Sequence, residues 1–564
     1  MQQQGIHALN EGQAWWKEHI IYQVYPRSFK DSSGNGVGDL RGIIDKLDYI
    51  ASLGVTAVWI NPIYASPNDD NGYDISDYCA IMPEFGTMAD FDELMAGLKA
   101  RNIEFIMDLV VNHSSDEHIW FEQSRSSRDN PYRDYYHWWP AEQGEPPFRY
   151  SFFDEQGSAW QYDAPSDAYY LHYFSKKQPD LNWENPKVRQ EVYDIMRFWI
   201  DKGVNGFRLD AFQFVSKDTR FPEFPKGYEK SPVTVIKHHG MGPHLHEYLQ
   251  EMYQEVLSQH RTFAVSEGAG SSLQDAHDLV DAERNELQMV YHFEAVDMGK
   301  ESAEGHSLAD FKRIHSNWEQ SFAEKGWLSI FLANHDVPRM VSQFGDDRPA
   351  FRAKSAELLN TFLLTMRGTP YCYYGDELGM TNIGFECIEQ YQDIAAVNGY
   401  KKALNNGEDM TLFMQKLKKL SRDNGRTPMQ WDDSPNAGFS SAAPWLKINP
   451  NYTEVNVAAQ QHDAHSTLQH FRGLTALRKR ETAVLVYGTY QLIQEAHPNV
   501  YAYSRSSDDK TFWVVLNFSD SEAEITIDAV SSKSAVLSNN YQHVQWQAQR
   551  TLCLQAYQAL VFAN

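Results

Sequence analysis

Short apolar runs alternate with longer amphipathic segments along most of the chain. Eight runs have the length and the β-branched and aromatic content of buried strands: residues 20–29, 55–62, 105–113, 206–211, 262–268, 289–294, 328–336 and 369–377. Helical patterns lie between them, for example at residues 40–53, 88–101, 188–202 and 244–259. Strands that alternate with helices predict a parallel sheet, and eight such strands predict a closed (β/α)8 barrel.

Two parts of the chain depart from this alternation. Residues 114–183 follow the third run, are rich in aromatic residues, Pro, Asp and Ser, and are too long for a loop without structure of its own. We therefore predict a small inserted domain at 114–183 and a barrel built from residues 1–113 and 184–480. From residue 481 onward only strand and turn patterns remain, which predicts an antiparallel β-sandwich domain at 481–564.

Charge and composition exclude several classes of partner. A formal net charge of −26 argues against nucleic acids and anionic membranes, since both favour a basic surface. No apolar stretch reaches the ~18 residues of a membrane helix, and the N-terminus lacks the basic and apolar segments of a signal peptide. Four scattered cysteines without CxxC spacing form no disulfide framework. We expect a cytoplasmic protein without nucleic-acid or membrane partners, present as a monomer or homodimer.

Polar residues cluster where four of the predicted strands end. The third run ends in Asp108-Leu-Val-Val-Asn112-His113, the fourth contains Arg208-Leu-Asp210, the fifth contains Glu267, and the seventh ends in Asn334-His335-Asp336. The carboxyl ends of barrel strands meet at one face, where barrel enzymes carry their active sites. One carboxylate there would be ordinary surface, but four such segments predict a catalytic site.

The four segments resemble the signature regions of the α-amylase superfamily, glycoside hydrolase family 13. Further motifs are similar to its oligo-1,6-glucosidase and α-glucosidase subfamily: Gln178-Pro-Asp-Leu-Asn182, the 66–74 segment and the 422–431 segment. The resemblance extends from Trp15 to the terminal β domain. It implies an exo-acting retaining α-glucosidase, which hydrolyses terminal bonds of short α-glucoside oligosaccharides through a covalent glucosyl-enzyme intermediate.

The resemblance assigns three catalytic carboxylates, with Asp210 as nucleophile, Glu267 as general acid/base and Asp336 as the third. Two carboxyl groups on opposite sides of a glycosidic bond give retention of configuration. Arg208 lies two residues before Asp210 on the same strand face, so we expect it to keep the pKa of Asp210 low. The charges of Asp210 and Asp336 are expected to raise the pKa of Glu267.

The resemblance also implies which side chains hold the sugar. The implied substrate-binding residues are Asp70, Tyr73, His113, Arg208, His335 and Arg426. Tyr73 is expected to stack under the terminal glucose, and the two histidines to donate to its hydroxyls. Asp70 and Arg426 are expected to clamp the outer hydroxyls, which closes the pocket. Arg422 is the alternative to Arg426 unless it forms a structural ion pair.

A glycine-rich loop is a candidate calcium site. Its potential ligands are Asp31, Ser33, Asn35, Val37 and Asp39. Oxygen ligands at every second position suit a hard cation. Members of the superfamily usually have Asn at position 33 and Asp at position 35, so this loop has fewer carboxylates and would bind more weakly. A turn without metal is the alternative, and the chemistry itself is expected to need no cofactor.

Two positions depart from the subfamily pattern and concern specificity. Ala211 follows the nucleophile, where relatives that prefer α-1,6 links typically have Val. Ala211 therefore favours maltose-type α-1,4 substrates, with α-1,6 links or sucrose also possible, by the ~1–3 kcal/mol that a methyl-scale change contributes. Ser266 stands where relatives have Gly before the acid/base, which concerns the acceptor side of the pocket.

Other functions on the same scaffold remain open. A sucrose isomerase or transglucosylase needs the same three carboxylates, but isomerases carry an Arg- and Asp-rich motif that residues 343–349 match poorly. A trehalose-phosphate hydrolase would need a Lys/Arg cluster, which is not apparent. A non-catalytic ancillary subunit of an amino-acid transporter would be membrane-anchored and need not keep every catalytic position.

Overall fold

Eight parallel strands form the centre of the molecule in a computed structural model that describes residues 13–153, 157–228, 232–298, 306–547 and 550–563. They are β1 (Ile21–Val24), β2 (Ala57–Ile60), β3 (Glu104–Val110), β4 (Gly206–Asp210), β5 (Phe263–Glu267), β6 (Met289–Tyr291), β7 (Ser329–Ile330) and β8 (Thr369–Tyr373). Their order in the sheet is β6-β5-β4-β3-β2-β1-β8-β7. A parallel bridge between Val290 and Leu328 joins β6 to β7 and closes the ring. The predicted barrel is confirmed.

A helix follows each strand. The longest described helices after β1 to β8 are α1 (Leu47–Ser52), α2 (Met88–Ala100), α3 (Pro186–Asp201), α4 (Leu245–Glu255), α5 (Leu273–Val280), α6 (Leu308–Ser321), α7 (Arg352–Thr365) and α8 (Thr467–Arg480). Local sequence sets their limits: the Asn185 side chain accepts a hydrogen bond from the Lys187 N–H at the start of α3, and Pro186 occupies its first turn. The buried face of α3 includes Val188 and Val192, spaced by one helical turn.

The strand β7 is much shorter than the run that predicted it. Only Ser329–Ile330 pair as strand, although the apolar pattern extends through residues 328–336. Beyond Ile330 the chain leaves the sheet, and the Asn334 side chain accepts a hydrogen bond from the Asp336 N–H at 2.7 Å. This local turn brings Asp336 to the mouth of the barrel instead of continuing the strand.

The segment between β3 and α3 has its own small sheet. Helix Ile119–Ser126 precedes three antiparallel strands, in the order Trp138–Pro140, Ala168–Leu171, Trp160–Asp163. Two isolated antiparallel bridges hold the end of the insertion: Asp180 pairs with His113, just after β3, and Leu181 pairs with Tyr136. The insertion therefore stands over the carboxyl end of β3.

The C-terminal region consists of two antiparallel sheets. The first contains Thr489–Ile493, Val500–Ser506, Thr511–Asn517, Ala559–Ala563 and Ala535–Asn539, and the second contains Ala523–Thr526, Thr551–Leu554 and Gln545–Gln547. Buried side chains of both sheets, such as Val515 and Ile525, share one core. The predicted antiparallel domain is confirmed, and the domain boundaries at residues 113, 183 and 480 stay predictions. None of the described helices has both the length and the apolar character needed to cross a bilayer.

Candidate active site

The barrel strands bring the predicted catalytic residues to one end. Asp210 is the last residue of β4 and Glu267 the last of β5, while Asp336 follows β7. The β3–β4 register places Asp108 beside Arg208. Side chains two residues apart on a strand share a face, so Arg208 and Asp210 point the same way.

Arg208 lies at the centre of this group, with no exposed surface. Its Nη1 donates to Asp108 Oδ1 at 2.9 Å and to Asp210 Oδ1 at 2.5 Å. Its Nη2 lies 2.5 Å from Glu267 Oε1, and its Nε donates to the Tyr291 hydroxyl at 3.2 Å. One guanidinium thus serves three carboxylates, and its rigid planar fork fixes where Asp210 and Glu267 stand relative to each other.

Asp336 has a different set of partners. Arg422 Nη1 and Arg426 Nη2 each donate to its Oδ1 at 3.0 Å. His335 Nε2 lies 3.0 Å from its Oδ2. Two guanidiniums and an imidazole therefore surround the Asp336 carboxylate, whereas Asp210 and Glu267 share the single guanidinium of Arg208.

The guanidinium nearest Asp70 belongs to Arg422. Its Nη2 lies 3.7 Å from Asp70 Oδ1, and its Nε donates to Asp393 Oδ1 at 3.0 Å. Arg426, the clamp expected from the sequence, directs its Nε to the His335 carbonyl. Both arginines reach Asp336, and Arg422 extends on towards Asp70. The roles of Asp70 and Arg426 as clamps on a sugar stay predictions, with Arg422 as the alternative to Arg426.

Tyr73 is held by polar contacts around its hydroxyl. The hydroxyl donates to Asp108 Oδ2 at 2.9 Å, accepts from Asn61 Nδ2 at 2.8 Å and lies 2.7 Å from His335 Nε2. The Tyr73 and His335 rings are parallel within 3°, with centroids 5.4 Å apart. Gln23 Nε2 donates to Asn61 Oδ1 at 2.9 Å. The orientation of the Tyr73 ring is thus fixed before any ligand binds.

His113 is a neutral, buried imidazole. Its Nε2 lies 3.1 Å from the Tyr73 carbonyl and 3.1 Å from Gln178 Nε2. Burial lowers the pKa of His113 to about 3. Gln178 also donates to Asp70 Oδ2 at 3.2 Å, so the insertion motif that contains Gln178 contacts two of the predicted binding residues.

Burial governs the proton affinity of the carboxylates around Arg208. Burial raises the pKa of Glu267 to about 7, while Arg208 lowers it and the charges of Asp210 and Asp336 raise it further. Burial also raises the pKa of Asp210 to about 7, although Arg208 acts in the opposite direction. The sequence-based expectation of a low pKa for Asp210 was wrong, because the cost of desolvating the carboxylate exceeds the effect of a cation shared three ways.

Asp336 is ionised near neutral pH. Burial alone would raise its pKa, but the His335 imidazole and the two guanidiniums hold that pKa well below its usual range. For Asp70, burial dominates and raises the pKa to about 7, against the effect of Arg422 and Arg426.

Ala211 connects the ends of β4 and β5. Its backbone is left-handed, with φ 47°, and its N–H donates to Glu267 Oε2 at 2.8 Å. Both residues line a cavity of about 590 Å³. Aromatic rings from three parts of the chain line it, including Phe152, Phe214 and Phe293. A leaving group whose oxygen is protonated by Glu267 would occupy this cavity.

The insertion and the segment after β8 meet at the mouth of this cavity. Asn398, in helix Ile394–Asn405, donates its side-chain N–H to the Phe153 carbonyl at 2.7 Å. The Arg422 guanidinium lies 5.3 Å from the centroid of the Phe153 ring. Phe153 therefore touches both the mouth and the group that pairs with Asp70.

Comparison with known proteins places this geometry in a family. Residues 23–488 match the model of the α-amylase catalytic domain, and residues 490–561 match the maltogenic amylase C-terminal domain. The chain belongs to the α-amylase family. The predicted superfamily is therefore confirmed, and the protein is a glycoside hydrolase.

Relatives within the α-amylase family carry several activities in their names. The chain is 48% identical to the oligo-1,6-glucosidase of Parageobacillus thermoglucosidasius, over 97% of this chain and 98% of that protein. It is 42% identical to the trehalose-6-phosphate hydrolase of Bacillus subtilis, over 97% and 98%. A solved trehalulose synthase has 43% identity and a TM-score of 0.94, over 98% of this chain and 100% of that one.

The glycine-rich loop satisfies its carboxylates internally. Asp31 Oδ1 accepts from the backbone N–H groups of Ser33 and Gly34, and Asp31 Oδ2 accepts from Gly36 N–H and Ser440 Oγ. The other carboxylate and amide make the same kind of contact: Asp39 accepts from Ser32 and Gly42, and Asn35 from Val37 N–H. No group of three His, Cys, Asp or Glu side chains suited to a metal occurs in the described part of the chain. These internal hydrogen bonds favour the turn without metal, and calcium binding at the loop stays a prediction.

The sequence did not identify two acidic residues of the site. Asp108 lies in the polar segment that ends β3. Its place beside Arg208 in the β3–β4 register shows that it belongs to the site. Asp393 lies in the long segment between β8 and α8, where no hydrophobic periodicity distinguishes it. It contacts Arg422 through two guanidinium nitrogens. Only the folded chain brings Asp393 to the arginine.

Proposed function

We propose that this protein is an exo-acting retaining α-glucosidase that hydrolyses terminal non-reducing α-glucosidic bonds of short oligosaccharides. The observation that carries the proposal is the fork of Arg208, which holds Asp210 and Glu267 side by side, with Glu267 in the wall of the cavity. In retaining glycosidases the two carboxyl groups stand about 5–5.5 Å apart, close enough for direct nucleophilic attack. One guanidinium spanning both groups supports such a short separation.

In the proposed reaction the two carboxyl groups share one proton. Asp210 in its ionised form attacks the anomeric carbon while Glu267 protonates the glycosidic oxygen, so the bond to the leaving sugar breaks as the Asp210 ester forms. Glu267, now ionised, takes a proton from water, which attacks the ester and releases glucose and Asp210. The raised pKa of Glu267 keeps the acid protonated near neutral pH.

The remaining side chains support an exo mode of action. The ionised Asp336 accepts hydrogen bonds from sugar hydroxyls, and the fixed ring of Tyr73 supports the sugar from one side. Asp70 and Arg422 close the far end of the pocket, so only a terminal glucose fits. No cofactor takes part. The proposed location is the cytoplasm, and the proposed assembly is a monomer or homodimer.

The proposed substrates are maltose-type α-1,4 glucosides, with α-1,6 links and sucrose as further possibilities. Ala211 carries this choice, because its small side chain lies in the cavity wall beside Glu267. The relative from Parageobacillus thermoglucosidasius is named for α-1,6 links, whereas Ala211 favours α-1,4 links. The preference between the two linkages therefore rests on Ala211 alone.

A sucrose isomerase is the second candidate, because the trehalulose synthase has nearly the same fold. Such an enzyme must keep water from the covalent intermediate. Arg348, the arginine within residues 343–349, pairs with Asp346 and with Asp520 of the C-terminal region, at 2.8 Å from the latter, and its side chain is 58% exposed. It therefore offers nothing to the active site, which favours hydrolysis.

A phosphosugar substrate has little support from the cavity. Lys402 is the one cationic side chain among the described residues that line it, and it is exposed at the mouth. A phosphate recognised by the protein usually meets an arginine or several donors. The proposed substrates are therefore uncharged.

The test is a product analysis. Purified protein is incubated with maltose, isomaltose, sucrose and trehalose, and the products are separated by chromatography, with Asp210→Asn as the matched control. We expect glucose from maltose at the highest rate, and at least about a 10⁴-fold loss in the variant. Isomeric disaccharides from sucrose with little free glucose would replace the proposal by the isomerase, and no turnover of any sugar would refute both.

A further inference from the structure

A second large cavity lies between the barrel and the C-terminal region. It has a volume of about 710 Å³ and shares no lining residue with the cavity at Glu267. Its walls come from α7, from α8 and the turn before it, and from the strand Ala535–Asn539 with the turn that follows. Side chains of the barrel and of the C-terminal sheets therefore face each other across it.

The lining is polar but carries no net charge. The charged side chains among the described residues that line it are Lys354 and Glu357, one ammonium and one carboxyl group, although the whole chain carries a net charge of −26. Amide, hydroxyl and imidazole groups make up the rest. A lining of this kind gives little advantage to an ion of either sign and suits a neutral molecule with many hydroxyls.

Glu357 offers an unused hydrogen-bonding position in this lining. The residue is only 1% exposed, and its Oε2 accepts from Lys354 Nζ at 2.7 Å. Its Oε1 is buried and has no hydrogen-bond partner among the described residues. A buried oxygen without a hydrogen-bond partner is destabilising, and a hydroxyl of a bound molecule would satisfy it. Burial raises the pKa of Glu357 to about 7, so near neutral pH the carboxyl group is able to accept from or donate to a hydroxyl.

Gly473 leaves the wall of the cavity open. It lies inside α8, and a Cβ placed on it would meet no other atom within 4 Å. Glycine inside a helix is less favourable than alanine. Neither a tight turn nor a close neighbour accounts for the glycine, which provides space along the face of α8 that lines the cavity.

We propose that this cavity is a second sugar-binding site, which takes a neutral oligosaccharide. The free oxygen of Glu357 and the facing amides match the neighbouring hydroxyls of a sugar ring, and the Tyr541 ring supplies an apolar surface within the same wall. The site is separate from the pocket at Asp210 and does not depend on which bond that pocket cleaves. Sugar bound here holds the enzyme near oligosaccharide without being cleaved.

Hydrogen exchange with peptide resolution tests the proposal on the full chain carrying Asp210→Asn, with maltotriose as the probe. We expect maltotriose to slow exchange in peptides that cover residues 464–473 and 537–545. Gly473→Trp fills the cavity from an open position and is expected to weaken this protection at least tenfold. Gly473→Ala adds only a methyl group and is the matched control, which keeps the protection.

A second variant tests the hydrogen bond to Glu357 separately from the space left by Gly473. Glu357→Gln keeps an oxygen for Lys354 but turns the free acceptor into a donor, and we expect about tenfold weaker protection by maltotriose. Glu522→Gln, on the exposed surface of the C-terminal region, is its control. The proposal would be overturned if maltotriose at tens of millimolar left exchange in these two peptides unchanged. Protection that persisted in Gly473→Trp would overturn it too. Protection by ammonium sulfate and none by maltotriose would assign the cavity to an ion and overturn it as well.

Discussion

The carboxylates in the two halves of the active site have different numbers of cationic partners. Around Arg208, one guanidinium contacts three carboxylates, and the pKa values of Asp210 and Glu267 lie near 7. Around Asp336, two guanidiniums contact one carboxylate, whose pKa lies well below its usual range. Both halves are buried, so burial alone does not explain the difference.

The comparison shows how one buried pocket separates proton transfer from binding. A shortage of cations leaves a carboxyl pair that holds a proton near neutral pH, as acid catalysis requires. Two guanidiniums on one carboxylate leave Asp336 ionised near neutral pH, as an acceptor for sugar hydroxyls. The number of guanidiniums that contact each carboxylate, more than the depth at which it is buried, decides whether it transfers a proton or binds the sugar.

Removing the single cation from the first half should have the largest effect. Arg208→Gln is expected to lower kcat/KM about 10³-fold, since it misplaces Asp210 and Glu267 together. The remaining activity should have its optimum at higher pH, because the group that lowers both pKa values is gone. Steady-state kinetics between about pH 5 and pH 9 measures both effects.

The matched change in the second half is Arg422→Gln. Arg426 still pairs with Asp336 there, so we expect KM to rise about tenfold with a smaller change in kcat and an unshifted pH optimum. Equal losses of kcat in the two variants would show that the ratio of cations to carboxylates does not separate the two roles.

The wild-type pH profile is the next test of the comparison. Asp210 attacks only when ionised, so the rate should fall as the pH drops below about 7; Glu267 donates only when protonated, so it should fall as the pH rises above about 7. The expected bell has its maximum near neutrality, with limbs that approach a tenfold change per pH unit. In Glu267→Gln the alkaline limb should disappear, and a wild-type optimum below about pH 5 would contradict the proton-sharing pair.

A smaller effect is expected at the position that joins the two strand ends. Ala211→Val adds bulk beside Glu267 and should shift the ratio of kcat/KM for maltose and isomaltose towards isomaltose by up to about tenfold. The left-handed backbone at Ala211 disfavours a β-branched residue, so some loss for both sugars should accompany the shift. Ala211→Gly relaxes the backbone without adding bulk and should leave the ratio near its wild-type value.

The smallest effect concerns the loop at residues 31–39. Because its carboxylates already accept backbone N–H groups, removal of divalent cations with EDTA should change Tm by less than about 2 °C, measured by calorimetry. Asp31→Ala should lower Tm by more than EDTA does, since it leaves several N–H groups without acceptors. A large drop on chelation that calcium reverses would establish a metal site there.

The sequence predicted the barrel because its strands are buried on both faces. Such strands appear as continuous apolar runs, and the abrupt change to Arg208 or Glu267 marks where each reaches the mouth. The same pattern failed for β7, since an apolar run does not reveal that Asn334 turns the chain after two paired residues.

The contacts between loops were less accessible to sequence reasoning. Arg422 and Arg426 lie four residues apart in the same sequence motif, so the sequence does not show which of them approaches Asp70. The packing of the folded chain brings Arg422 there. The raised pKa of Asp210 was missed because a sequence shows the neighbouring Arg208 but not the depth at which the pair is buried.

The surplus of carboxylates around Arg208 has an evolutionary consequence. A buried arginine usually makes its partner indispensable, because loss of that partner leaves an uncompensated charge at a cost of about 3–5 kcal/mol. Here Asp108 and Glu267 still balance Arg208 when Asp210 is neutral. A single substitution at Asp210 can therefore abolish chemistry while the barrel still folds, which gives descendants of such an enzyme a short route to becoming sugar receptors.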